Sequence, residues 1–211
     1  MLDKYKHISF DLDGTLVYTV PEYRHKIVPV VVDRLGGSIK EKHLIDRFWF
    51  EANRDEIILN NFGLDPQLFW SLFRKLDSAS QRAPHIRAYD DGEPTLRRLK
   101  KMGKIISIIT VAPHLIAQME IEKLNDAPYD YYFSITNSKY KQKPDPESLH
   151  FVLKKLNVEK EETVYIGNSN EDAYYAKNAG VDFIYLERKE HPFDLKEYAA
   201  ATIHSLDELF G

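Results

Sequence analysis

The chain has 211 residues, 43% of them hydrophobic and 29% charged, a balance that fits a packed globular protein and argues against a mainly disordered one. Its formal charge of −4 leaves no basic surface of the kind that holds a nucleic-acid backbone, which argues against nucleic acid as a partner. The absence of cysteine excludes disulfides, thiolate nucleophiles and zinc-thiolate sites.

Residues 1–7 are charged and run directly into an apolar stretch, with no signal-peptide core, and no later run is long enough to span a membrane. Cytoplasmic residence without a membrane partner is the expectation. Residues 8–12 read as the first buried strand. From 17 to 88 the pattern is helical throughout. Leu44, Ile45, Phe48 and Trp49 mark one apolar face, and Leu68, Phe69, Leu72, Phe73 and Leu76 mark another. Pro29 is expected to kink the first of these helices or to delay its start.

Beyond this insertion, Pro94 opens a helix carrying Leu96 and Leu99 that Gly103 closes. Short apolar runs at 105–110 and 131–136 read as strands. Residues 146–157 carry Leu149, Val152, Leu153 and Leu156 at helical spacing, with Asp145 as N-cap and Pro146 in the first turn. A strand at 164–167 precedes a helix through Ala173, Ala176 and Ala179 that stops at Gly180, and 183–186 is the last strand. Strands alternating with helices predict an α/β fold: a doubly wound, mostly parallel sheet whose ligand crevice lies beyond the carboxyl ends of the strands. The expected division is a core of residues 1–16 and 89–211 and an inserted α-helical cap of residues 17–88.

Four places carry chemistry, and each has a plainer reading. Asp11 and Asp13, two apart at a strand exit, would share one side of an extended chain. Such a pair implies a metal site or an acid/base couple, or else solvated aspartates in an Asp-Gly turn. Thr110 closes a strand, where its hydroxyl and the following backbone N–H, that of Val111, can hold an anionic oxygen; a threonine ending a strand is also commonplace. Lys143 lies in Lys143-Pro144-Asp145-Pro146, whose prolines restrain the backbone around its ammonium; the alternative is a solvated lysine. Gly167-Asn168-Ser169-Asn170-Glu171-Asp172 joins a strand to a helix with oxygen-bearing side chains suited to a hard cation, or simply to helix capping.

Occurring in this order, each near a strand end, these segments resemble the four motifs of the haloacid dehalogenase-like superfamily. Asp11-Leu12-Asp13-Gly14-Thr15 is similar to the first motif, Thr110 to the second, Lys143-Pro144-Asp145-Pro146 to the third and residues 167–172 to most of the fourth. The insertion resembles, in position and length, the cap of the phosphoglycolate phosphatase-like branch. The resemblance implies a phosphatase for a small phosphorylated metabolite, with Asp11 as nucleophile and Asp13 as acid and then base. Thr110, Val111 and Lys143 would hold the phosphoryl group, and Mg2+ would sit on Asp11, Asp13, Asn168 and Asp172. Asp13 favours phosphoryl transfer over dehalogenation, which needs no proton delivered to an alkoxide.

Asn168 departs from the family, which carries a carboxylate there, so weaker metal binding is expected. The alternatives are a phosphomutase of the same chemistry or a HAD-like binding module with weak catalysis. Substrate choice is expected in the cap, with Tyr18, Arg24, Lys26, Arg47 and Arg54 either touching substrate or solvated. Its aromatic residues Phe48, Trp49, Phe62, Phe69, Trp70 and Phe73 are read as cap core. Oligomeric state is not encoded in any of these signals.

Overall fold

The computed structural model describes residues 1–51, 53–136, 138–191 and 193–211. In chain order the elements are β1 (His7–Phe10), β2 (Val17–Thr19), α1 (Pro21–Arg34), α2 (His43–Phe50), α3 (Arg54–Asn60), α4 (Pro66–Leu76), α5 (Ala79–Arg82), β3 (Ile86–Ala88), α6 (Gly92–Lys101) and β4 (Ile105–Thr110). They continue with α7 (His114–Glu122), β5 (Tyr131–Ser134), α8 (Glu147–Leu156), β6 (Thr163–Gly167), α9 (Asn170–Ala179), β7 (Asp182–Leu186) and β8 (Ala199–Ile203). The chain divides into two compact units, residues 1–18 with 87–211, and residues 19–86. No helix among the described residues is long and apolar enough to cross a membrane.

In the first unit a six-stranded sheet runs in the order β5-β4-β1-β6-β7-β8, with parallel pairing throughout. All four β1 residues are buried, as expected of a central strand covered on both faces. Phe10 pairs with Ile108 of β4 and Ile166 of β6, so the carboxyl ends of three strands fall at one level. The sheet order reverses direction at β1, and that switch point is where a parallel sheet opens a crevice.

The local signals for α8 and α9 are visible in their caps. In α8, Leu149, Val152 and Leu153 are buried, and the helix ends at Asn157 in the left-handed region (φ 53°). Its start is one residue later than the proline pattern implies: Pro146 is the N-cap, and Asp145 accepts a bond from the Glu147 N–H at 3.1 Å. In α9 the Ser169 hydroxyl accepts from the Asp172 N–H at 3.2 Å, and Gly180 closes the helix at φ 70°.

Three elements lie outside the sequence reading. The pair β2–β3 brackets the helical insertion, which is therefore not helical from end to end. Strand β8, Ala-Ala-Ala-Thr-Ile, joins the sheet at an edge although alanine has low strand propensity; pairing with β7 overrides it.

The second unit packs Phe48, Phe62, Phe69 and Phe73 with Ile57, Ile58 and Val28 into a core of its own, with Trp49 and Trp70 partly buried against it. Helix α1 starts at Pro21 and continues past Pro29 to Arg34, so Pro29 does not delay it; Pro21 already supplies a favourable first-turn residue. Leu68, assigned to the apolar face of α4, is 62% exposed, because the buried stripe there is Phe69 and Phe73.

His7, at the start of β1, is fully buried, its ring nitrogens 3.2 Å from Thr163 Oγ1 and 2.8 Å from Ser107 Oγ. Burial disfavours the imidazolium and lowers its pKa to about 4. The unfolded chain therefore takes up this proton first, and the contribution is lost as pH falls from about 6.5 to about 4, a total of ~3 kcal/mol. Urea unfolding across that range should show His7→Asn losing less stability with acid than the parent protein by about this amount; parallel pH profiles would contradict the assignment.

Candidate active site

Beyond Phe10 the chain leaves β1, but the Asp11 N–H still donates to the Ile166 carbonyl at 2.9 Å, which fixes Asp11 at the carboxyl end of the central strand. Its side chain is buried. The next residues form a tight loop: the Leu16 and Val17 N–H groups donate to the Leu12 carbonyl at 2.9 and 3.1 Å, and Gly14 donates to Val17 at 2.6 Å. Gly14 sits at φ +82°, a conformation glycine adopts without strain.

Lys143 Nζ, almost wholly buried, donates to Asp11 Oδ1 at 2.6 Å and to Asp172 Oδ1 at 2.9 Å. The faces of Tyr165 and Tyr175 flank the ammonium, with ring centroids 5.2 and 5.5 Å away. Residues 132 and 29 positions apart in the chain thus meet at one cation. Burial alone would discharge this lysine, but the carboxylates of Asp11 and Asp172 outweigh it and hold its pKa well above the usual value. Burial pushes the Asp11 carboxyl up, to about 7; Lys143 opposes this, while Asp172 and Asp13 add to it.

Asp172 commits both oxygens. Oδ1 meets Lys143, and Oδ2 accepts from the Ser169 hydroxyl at 2.7 Å and the Asn168 N–H at 3.2 Å. Gly167 makes this possible, since a Cβ there would lie 2.6 Å from Asp172 Cγ. Asn168 is buried, and its Nδ2 donates to the Gly14 carbonyl at 2.9 Å.

Asp11, Asn168, Lys143 and Asp172 are therefore brought together. Asp13 lies in the loop rather than on an extended strand, half-buried, and its charge is felt at Asp11. Thr110 is buried at the end of β4, where its Oγ1 accepts from the Ala112 N–H at 3.0 Å. The Val111 carbonyl accepts from the Thr136 hydroxyl, and that of Ala112 from Ser134 at 2.8 Å. These bonds fix the Thr110–Ala112 turn against the end of β5.

Arg188, just past β7, escaped the sequence reading, although its position at a strand's carboxyl end was the available signal. It donates to the Thr15 carbonyl at 3.1 Å and to both oxygens of Asp91 at 2.6 and 2.9 Å. Asp91 also accepts from the Ser205 hydroxyl and the Leu206 N–H at 3.0 and 2.9 Å. Burial works against the Asp91 charge, yet Arg188 and these donors hold its pKa below the usual carboxylate range.

Of the candidate specificity residues, Arg24 is buried inside the helical unit, bonded to Asp46 at 2.6 Å and lying over the Phe50 ring. That differs from both readings offered for it, solvated or touching substrate. Arg47 pairs with Glu51 at 2.7 Å, and Arg54 donates to the Glu51 and Trp49 carbonyls at 3.2 and 3.3 Å. Lys26 is exposed, and the Tyr18 ring packs on Tyr89 at 4.7 Å.

Among the described residues no group of three or more His, Cys, Asp or Glu side chains is placed to hold a metal. The donors here are of another kind: the Asp11 carboxylate, the Asp13 carbonyl and the Asn168 amide are hard oxygens suited to magnesium. Burial chiefly, with the charges of Asp172 and Asp13, raises the Asp11 pKa, and a cation beside the carboxylate would offset both, so the donor set fits.

A sequence model of the haloacid dehalogenase-like hydrolase family matches residues 8–186. Phosphoglycolate phosphatase of Pseudomonas savastanoi pv. phaseolicola (strain 1448A / Race 6) is 27% identical over 184 residues, covering 83% of this chain and 67% of that protein. Phosphoglycolate phosphatase of Rhodobacter capsulatus is 28% identical, covering 97% and 94%. A solved structure described as a haloacid dehalogenase-like hydrolase from Bacteroides fragilis superposes with a TM-score of 0.80 at 26% identity, covering 98% of this chain and all of that one.

Replacing Lys143 by Met leaves two buried carboxylates without their counter-ion, an expected loss of ~3–5 kcal/mol near pH 8. The Asp11 pKa, already raised above its unfolded value, rises further in this variant. Stability linked to Asp11 is then fully present below about pH 4 and lost as pH rises through the folded value. The deficit should narrow on going from pH 8 to pH 5 in urea unfolding; an unchanged deficit would contradict this reading of the cluster.

Proposed function

The chain belongs to the haloacid dehalogenase-like hydrolase family, and from that premise we propose that it is a phosphatase that hydrolyses a small phosphorylated metabolite through an aspartyl-phosphate on Asp11. The observation that carries this reading is Lys143 bridging Asp11 and Asp172 at the carboxyl end of the central strand. A buried carboxylate held by one fixed cation at a switch point is equipped to meet an anionic phosphorus centre.

In the proposed reaction, Asp11 attacks phosphorus in line, a P–O bond forms to its carboxylate and the bond to the leaving oxygen breaks. Oδ1 is held by Lys143, so Oδ2, which accepts only a long 3.4 Å bond from the Thr15 hydroxyl among the contacts described, is the freer oxygen for attack. Asp13 gives its proton to the departing alkoxide, and as a carboxylate it then takes one from the water that attacks the aspartyl-phosphate. Inorganic phosphate leaves and Asp11 is regenerated.

Lys143 offsets charge on Asp11 and on the phosphoryl oxygens. Thr110 and the Val111 N–H hold one of those oxygens, and their turn is pinned by Ser134 and Thr136. Asp11, the Asp13 carbonyl and Asn168 would hold Mg2+, with Asp172 adding charge nearby; when bound, the cation lets two anions approach. The phosphoglycolate phosphatases among the relatives make phosphoglycolate the first substrate to try.

Magnesium-dependent release of phosphate is expected from p-nitrophenyl phosphate and from phosphoglycolate. Asp11→Asn should lower kcat at least ~10³-fold. Asp13→Ala should lose more with the alkyl ester, whose alkoxide needs a proton, than with the aryl ester, by a factor on the order of 10². Full activity in Asp11→Asn, or equal activity in chelator, contradicts the mechanism; return of the phosphoryl group to a second sugar-phosphate position without steady phosphate release identifies a phosphomutase instead.

A further inference from the structure

Asn168 bonds in a way that a carboxylate at its position cannot reproduce unaided. Its Nδ2 donates to the Gly14 carbonyl at 2.9 Å across 154 residues of chain. The acceptor fixes the orientation of the amide, since a carbonyl oxygen takes a hydrogen bond only from the nitrogen. The approach is so close that a Cβ on Gly14 would stand 2.1 Å from Nδ2. Asn168 is anchored in turn, its N–H donating to Asp172 Oδ2 and Asp172 being held by Lys143. The bond therefore runs from the Asp11–Val17 loop into the buried cluster of Asp172, Lys143 and Asp11.

An aspartate at position 168 would set acceptor oxygen against acceptor oxygen at this distance. That contact is repulsive unless a cation or a proton lies between them. We propose that the Asn168 amide ties the nucleophile loop directly to the end of β6, doing with one hydrogen bond what an ionised carboxylate there would do only through a bound cation. The loop is thus assembled before any cation binds, and the cation is needed to balance charge at Asp11 rather than to order the backbone. The inference rests on the proposed function only in placing the cation at this loop. Asn168 is a positioning residue here, acting on Asp11 through the loop that carries it.

Hydrogen exchange of the amides of residues 14–17, followed by mass spectrometry in EDTA and in magnesium without substrate, tests this on the full chain. In the parent protein, protection of these amides should be the same in both conditions. Asn168→Ala should exchange about tenfold faster in both, the effect of one lost hydrogen bond. Asn168→Asp should exchange about tenfold faster in EDTA and recover in magnesium.

Parent protection that falls tenfold in EDTA overturns the proposal, and so does Asn168→Asp that is as protected as the parent in EDTA or stays unprotected in magnesium. If either variant fails to fold, the parent comparison alone decides, equal protection supporting and unequal protection overturning. A protein with a cation-independent loop and no phosphatase activity would remove the proposed function and leave this inference standing.

Discussion

The ammonium of Lys143 between Asp11 and Asp172 is the interaction on which the rest of the sheet end depends. Three charges are out of water here, and each alone would be expensive to bury. Together they stand only if β1, the Lys143 turn and the β6–α9 junction are all in place, since each supplies one partner. The same arrangement leaves the cluster one negative charge in excess, before Asp13 is added. Burial is the main cause that keeps Asp11 reluctant to ionise, and the charges of Asp172 and Asp13 add to it.

Around this triad the Asp11–Val17 loop is held from several sides. Its own N–H groups converge on the Leu12 carbonyl, Asn168 holds the Gly14 carbonyl and Arg188 holds that of Thr15. Arg188 is itself fixed by Asp91, which also gathers the Ser205–Leu206 turn, so the end of the chain contributes to the rigidity of a loop near its beginning. A carboxylate whose backbone is restrained at consecutive residues loses little freedom on meeting its target, which is the physical content of preorganisation.

How much of this could be read in advance followed from how local each signal is. Helices α8 and α9 and strand β4 announce themselves because their periodicity, caps and β-branched runs lie within the element. Strand β8 did not, because its alanines carry no strand signal and only pairing with β7 defines it. Leu68 was misplaced because helical spacing alone admits two registers, and Phe69 and Phe73 took the buried one. The motif residues could be named from spacing, but not the partners that give them geometry. That Asp172 holds Lys143, that Arg188 holds Thr15 and that Arg24 is internal to the helical unit are long-range facts without a local pattern.

The central claim is that Asp11 itself takes the phosphoryl group. The most direct measurement is acid quench during turnover of p-nitrophenyl phosphate, borohydride reduction and peptide mass spectrometry, since an aspartyl-phosphate is reduced to homoserine while a free carboxylate is not. The account predicts homoserine at position 11 and nowhere else. Steady phosphate release with an unmodified Asp11, or with the modification on another carboxylate, would contradict it.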